Sequence, residues 1–74
     1  MKRYLVLVEQ AADGSWSAYV PDLPGCVAGG FESPREAQQA IAEALDLHLK
    51  GILEDGDPVP EPRTVAQYVE TSIA

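Results

Sequence analysis

Side chains able to do catalytic or metal chemistry are few in this 74-residue sequence, which holds one histidine and one cysteine. His48 falls on the apolar stripe of a predicted helix, where packing at the edge of a core is a commoner role than general base. Cys26 has no sequence neighbour that would lower its pKa, so a small buried hydrophobe is expected rather than a nucleophile. One residue of each type cannot form an intramolecular disulfide or a usual zinc site.

Acidic residues are the more numerous candidates. Glu54, Asp55 and Asp57 are close enough to hold a cation in principle, but they lack the spacing of a calcium loop, so a solvated helix end is expected. Asp22 precedes Gly25 in a proline-rich turn, where its simplest role is an Asx-type hydrogen bond. The sequence contains no nucleophile motif and no phosphate-binding loop.

These observations predict a protein that is not an enzyme and that has no cofactor and no metal site. The competing hypothesis is an enzyme of unknown reaction, and its only candidate groups are His48, Asp22 and Cys26. That hypothesis requires the three side chains to converge in one pocket.

The charge balance narrows the range of partners. Twelve acidic residues against five basic ones give a net charge of −7, which disfavours direct binding of RNA or DNA because such binding neutralises phosphates. An acidic surface suits a basic protein partner, although the same charge can serve solubility alone. No apolar run approaches the ~18 residues of a membrane span, and the start is too polar for a secretory signal. We therefore expect a soluble, cytoplasmic protein.

The hydrophobic pattern predicts a single small domain over residues 1–74. Alternating and apolar runs indicate strands, and a three-and-four spacing indicates an amphipathic helix. The predicted elements are strands at 2–10, 15–20 and 26–31, a helix at 34–55, an extended connector at 57–63 and a last strand at 64–71. The fold class is α+β: a two-layer β-β-β-α-β domain whose mostly antiparallel sheet is covered on one face by one helix.

The start of the helix is the clearest local signal. Ser33 is placed as the N-cap, Pro34 at the first helical position and Glu36 where a capping box needs it. Gly56 is the better stop signal, because Gly51 only weakens the helix.

The first strand is apolar in both directions. Tyr4, Val6 and Val8 point to one face, and Leu5 and Leu7 to the other. Because one helix covers only one face of a small sheet, the uncovered side chains predict a homo-oligomer or a bound partner. The alternative is that the C-terminal segment folds back over them.

Four segments together carry a resemblance to a known family: VPDLPGCVAGG, SPREA, IAEALDLHL and PVPEP. In this combination they resemble the HicB family of antitoxin domains, over roughly residues 4–62. The resemblance implies a partial ribonuclease-H-like layout with three antiparallel strands, a helix and a further strand. It also implies binding to a small basic toxin of the HicA type, which cleaves RNA and which the antitoxin neutralises by covering its surface.

Many members of that family continue into a DNA-binding segment. No second helical pattern and no basic patch follow the helix here, so transcriptional autoregulation is not expected. The alternative function is a homo-oligomeric scaffold or regulator with no toxin partner. The residues predicted to bind a partner are Asp22, Leu23, Glu54, Asp55, Asp57 and Glu61.

Overall fold

The computed structural model describes residues 2–73, so Met1 and Ala74, the ends of the predicted domain, lie outside the described residues. The elements are β1 (Leu7–Gln10), β2 (Trp16–Tyr19), β3 (Val27–Phe31) and α1 (Pro34–Glu54). The three strands form one antiparallel sheet in the order β1-β2-β3. The predicted α+β class and the order of three strands and a helix are confirmed.

The strand connections follow from local hydrogen bonds. In the β1–β2 turn, the Asp13 carboxylate accepts from the backbone N–H of Ser15 at 2.9 Å and from its hydroxyl at 2.7 Å. In the β2–β3 turn, Leu23 donates to the Val20 carbonyl and Cys26 to the Leu23 carbonyl. Gly25 has φ +87° there, a conformation that a residue with a Cβ rarely adopts.

Both ends of α1 are capped by its own sequence. The Ser33 hydroxyl accepts from the Glu36 backbone N–H at 3.1 Å, and Pro34 occupies the first turn, as predicted. The Glu36 carboxylate accepts from the backbone N–H of Glu32 rather than from that of Ser33. At the other end Gly56 (φ +76°) donates to the Leu53 carbonyl and Asp57 to the Ile52 carbonyl, which is a Schellman motif.

The core lies between α1 and one face of the sheet. Its fully buried side chains come from β2, from the β2–β3 turn and from the first half of the helix. They are Ala18, Val20, Leu23, Cys26, Ala37 and Ile41. Tyr4, Val6 and Val8 pack against this cluster, so they lie under the helix. Leu53, in the last turn of α1, is 65% exposed.

β1 is shorter than the predicted 2–10. Leu7 pairs with Tyr19, so a continued register would place Leu5 opposite Pro21, which has no amide proton to donate.

The predicted last strand over 64–71 is wrong for the single chain. Described residues 57–73 contain neither helix nor strand. A strand needs a neighbouring backbone to pair with, and no backbone–backbone hydrogen bond links residues 58–73 to the rest of the described chain.

Candidate partner-binding surfaces

The sheet face turned away from α1 carries a row of apolar side chains. Leu7, Tyr19 and Val27 lie side by side in the antiparallel register. Tyr19 is 36% exposed and Val27 66% exposed, while Leu5 and Leu7 are half-buried. We call Leu7, Tyr19 and Val27 the open row. Since all three side chains share one face, the row is an apolar surface available to a partner.

The carboxylate of Glu9 lies near Tyr19 of the open row. Partial burial, and after it the nearby negative charge of Glu9, raise the pKa of the Tyr19 phenol above its ordinary 10.0. The tyrosine is therefore a neutral hydroxyl at physiological pH, and it joins an apolar ring to a polar tip.

The second surface is acidic and follows the end of α1. Glu54, Asp55 and Asp57 are exposed, and the last helical turn contains no basic residue. The C-terminal end of a helix already carries partial negative charge, so these carboxylates add to a field of the same sign. Among the described residues no group of three or more His, Cys, Asp or Glu side chains is arranged to hold a metal ion.

The segment after this acidic surface is attached along the start of the chain. Glu61 is exposed and forms an ion pair with Lys2, with 2.6 Å between Oε1 and Nζ. The Tyr4 hydroxyl donates to the carbonyl of Pro60. These contacts, with the prolines at 58, 60 and 62, hold the connector in an extended path.

Asp22 has a different role from the predicted turn bond. Its carboxylate accepts from the backbone N–H groups of Arg63 at 2.9 Å and Thr64 at 3.0 Å, and from the Thr64 hydroxyl at 2.7 Å. We call this set of bonds the Asp22 clamp. The Thr64 hydroxyl, followed by the two backbone donors, holds the pKa of Asp22 below its ordinary 3.8. The clamp ties the β2–β3 turn to the segment that follows the connector.

The three residues on which an enzyme would depend do not meet. Cys26 is buried in the core, and burial raises the pKa of its thiol. His48 lies half-buried on α1, and Asp22 is engaged in the clamp. The two main clefts of the described chain lie between α1 and the N-terminal segment, and none of the three residues lines either cleft.

The remaining predicted partner residue, Leu23, is 1% exposed, so its side chain belongs to the core. Sequence reasoning did not single out Tyr19, Val27 and Thr64. The alternation of β2 places Tyr19 opposite the core face, and this signal could have identified it. The position of Val27 beside it depends on the register, and the Thr64 contact spans 42 residues.

No helix among the described residues is both long and apolar enough to cross a membrane. The structure is a small α+β domain with an apolar sheet face, an acidic helix end and a C-terminal segment that is held by the Asp22 clamp.

Residues 4–72 match the model of the HicB-like antitoxins of bacterial toxin–antitoxin systems. The chain belongs to this family. It is 35% identical over 66 residues to a 14.9 kDa protein of the rep-hol intergenic region of Haemophilus phage HP1, covering 89% of this chain and 48% of that protein. It is 38% identical over 58 residues to a UPF0150 protein of Synechocystis sp., covering 78% of this chain and 72% of the relative. The chain therefore spans about half the length of its phage relative.

Proposed function

We propose that this chain is a non-catalytic antitoxin that binds a small basic RNA-cleaving protein of the HicA type and blocks cleavage by covering its surface. The observation that carries the proposal is the exposed acidic surface of Glu54, Asp55 and Asp57 on a member of an antitoxin family. Complementary charge speeds and orients the encounter with a basic protein.

The open row supplies apolar contacts, which the charged residues of the acidic surface do not. Buried apolar and aromatic anchors set the lifetime of a complex, while exposed charges mainly set its rate of formation. Tyr19 and Val27 are the exposed large apolar residues of the sheet. The antitoxin is thus steered by the acidic surface and held by the open row.

The test is to purify the chain, add the small basic protein encoded beside it, and measure both association kinetics and RNA cleavage. The variant Asp55→Lys/Asp57→Lys should slow association about tenfold and change dissociation little. The control Glu32→Lys/Glu43→Lys makes the same change in net charge at other exposed positions of the domain. Its association rate should stay within about twofold of wild type.

Two results would contradict the proposal. Equal slowing by both charge reversals would show that net charge, and not this surface, guides the encounter. If a basic neighbour is present but is neither bound nor inhibited, the antitoxin function is wrong, and a homo-oligomeric scaffold or regulator takes its place.

A further inference from the structure

Residues 65–73, which we call the arm, contain neither helix nor strand and are unusually apolar for an exposed segment. Val65 is 73% exposed, Tyr68 100%, Val69 88% and Ile73 94%. No hydrogen bond to the backbone of residues 65–72 is present in the described chain. Exposed β-branched and aromatic residues with unpaired backbone groups are typical of a strand that lacks its neighbour.

The same chain also contains an unpaired sheet edge. β1 is an edge strand, and described residues 2–6 before it form no backbone–backbone hydrogen bond. Between residues 3–6 and α1 lies a groove. Its lining includes Leu5, Ala42 and Leu45, and the first residues of the arm touch it at Val65 and Ala66.

We infer that the arm of each chain pairs as an added strand with the β1 edge, residues 3–8, of a second copy, so that two chains exchange arms reciprocally. Each copy supplies one arm and one β1 edge, so in a two-fold dimer both arms and both β1 edges are paired. This inference is independent of the toxin.

The size of the exposed surface agrees with such a dimer. A compact protein of 7.9 kDa exposes about 4,400 Å², whereas this chain exposes 5921 Å². The excess is about 1,500 Å² per chain and about 3,000 Å² for two chains, which is within the range that an obligate homodimer buries. The radius of gyration of 14.3 Å also exceeds the ~11 Å of a compact domain of this length.

Local charge favours the pairing as well. Arg3 is the only charged residue of the edge, residues 3–8, and Lys2 before it is already paired with Glu61. The only charged residue of the arm is Glu70. The edge and the arm therefore carry opposite charges and attract, whereas most of the acidic surface would repel an acidic chain.

The Asp22 clamp sets the point from which the arm starts. It fixes Thr64 beside the β2–β3 turn, and the next two residues, Val65 and Ala66, still touch the groove of their own chain. Further along the arm, Tyr68, Val69 and Ile73 are 100%, 88% and 94% exposed, so this part of the arm is open to a second copy.

The experiment is sedimentation and light scattering of the full chain under reducing conditions, from about 1 to 200 µM. We expect a species of twice the 7.9 kDa monomer mass. In a strand successive N–H groups point to opposite edges, so one of the variants Val69→Pro and Glu70→Pro removes a donor that the new ladder needs, and the other removes a donor that faces solvent. The controls Val69→Thr and Glu70→Gln keep both donors. Because both copies carry the change, the first of these losses removes two ladder bonds, and the dissociation constant should rise about tenfold or more. The controls should dimerise like wild type, and circular dichroism should show α1 intact in all four variants.

A 1:1 mixture of isotope-labelled and unlabelled chains then separates exchange from fold-back. Isotope-filtered contacts between Tyr68 or Val69 and residues 3–8 can arise only between copies, and we expect to observe them. A monomer at all concentrations overturns the inference, whether or not its arm amides are protected from hydrogen exchange. A dimer that both proline variants leave unchanged, or one without these contacts, overturns it too. The toxin is absent from all of these experiments, so their results test arm exchange independently of the antitoxin proposal.

Discussion

Replacing Ser33 with alanine should destabilise the domain by about 1 kcal/mol. The hydroxyl of Ser33 accepts from the Glu36 backbone N–H at 3.1 Å, and the backbone of Ser33 is extended, with φ −144° and ψ 156°. Alanine keeps the bond from Ala37 N–H to the Ser33 carbonyl and loses only the side-chain acceptor. Because Glu36 is exposed, water reaches the freed N–H. The cost therefore stays near 1 kcal/mol and does not approach the ~2 kcal/mol seen at the upper end for caps.

That cost is large for a chain of 74 residues, whose total stability is about 4–11 kcal/mol. The midpoint of thermal unfolding should fall by about 4–8 °C, measured at one fixed protein concentration because association shifts apparent stability. The control Ser33→Asp keeps an acceptor and adds a favourable charge at the helix N-terminus, so its midpoint should not fall. Identical midpoints for wild type and Ser33→Ala would refute the assigned cap.

Two further predictions concern the core and the clamp. Ile41→Ala should lower the free energy of urea unfolding by about 2–5 kcal/mol, because Ile41 is fully buried. The control Leu47→Ala changes a residue that is 71% exposed and should lower this free energy by less than about 0.5 kcal/mol. Equal losses in the two variants would contradict the packing described. Asp22 has a lowered pKa in the folded state, so its contribution to stability is present above its ordinary 3.8 and is lost as the pH falls through the lowered value. In an NMR titration the amide signals of Arg63 and Thr64 should therefore move only below about pH 4, and Asp22→Asn should abolish that step. A titration midpoint at or above 3.8, or a step that persists in Asp22→Asn, would contradict the clamp.

The elements that the sequence predicts best are those set by neighbouring residues. Ser33, Pro34 and Glu36 are within one helical turn, so the start of α1 is determined by bonds among adjacent groups. The stop at Gly56 is equally local, because a positive φ at that position closes the Schellman motif. The helix therefore lies close to its predicted bounds, as do β2 and β3, whereas β1 is shorter than predicted.

The elements that the sequence predicts poorly depend on distant partners. The alternation of Val65, Gln67 and Val69 favours a strand, but no alternation specifies which backbone it pairs with. In the same way, the turn residues around Asp22 favour a local hydrogen bond. In the structure its carboxylate instead accepts from Arg63 and Thr64, which are 41 and 42 residues further along the sequence. The sequence pattern identifies which secondary structure or hydrogen bond a segment is able to form. Its tertiary contacts decide whether that structure or bond forms.

The positions of the surfaces explain how one small chain can hold two kinds of partner. The acidic surface follows the end of α1, and the arm leaves from the Asp22 clamp at the far end of the proline-rich connector. Since the connector is extended and attached at Pro60 and Glu61, it keeps these two places apart. The open row lies on the sheet face opposite α1, while the arm of a second copy pairs beside the β1 edge, in the plane of the sheet. Arm exchange between two chains therefore leaves both the acidic surface and the open row of each copy accessible to a basic partner.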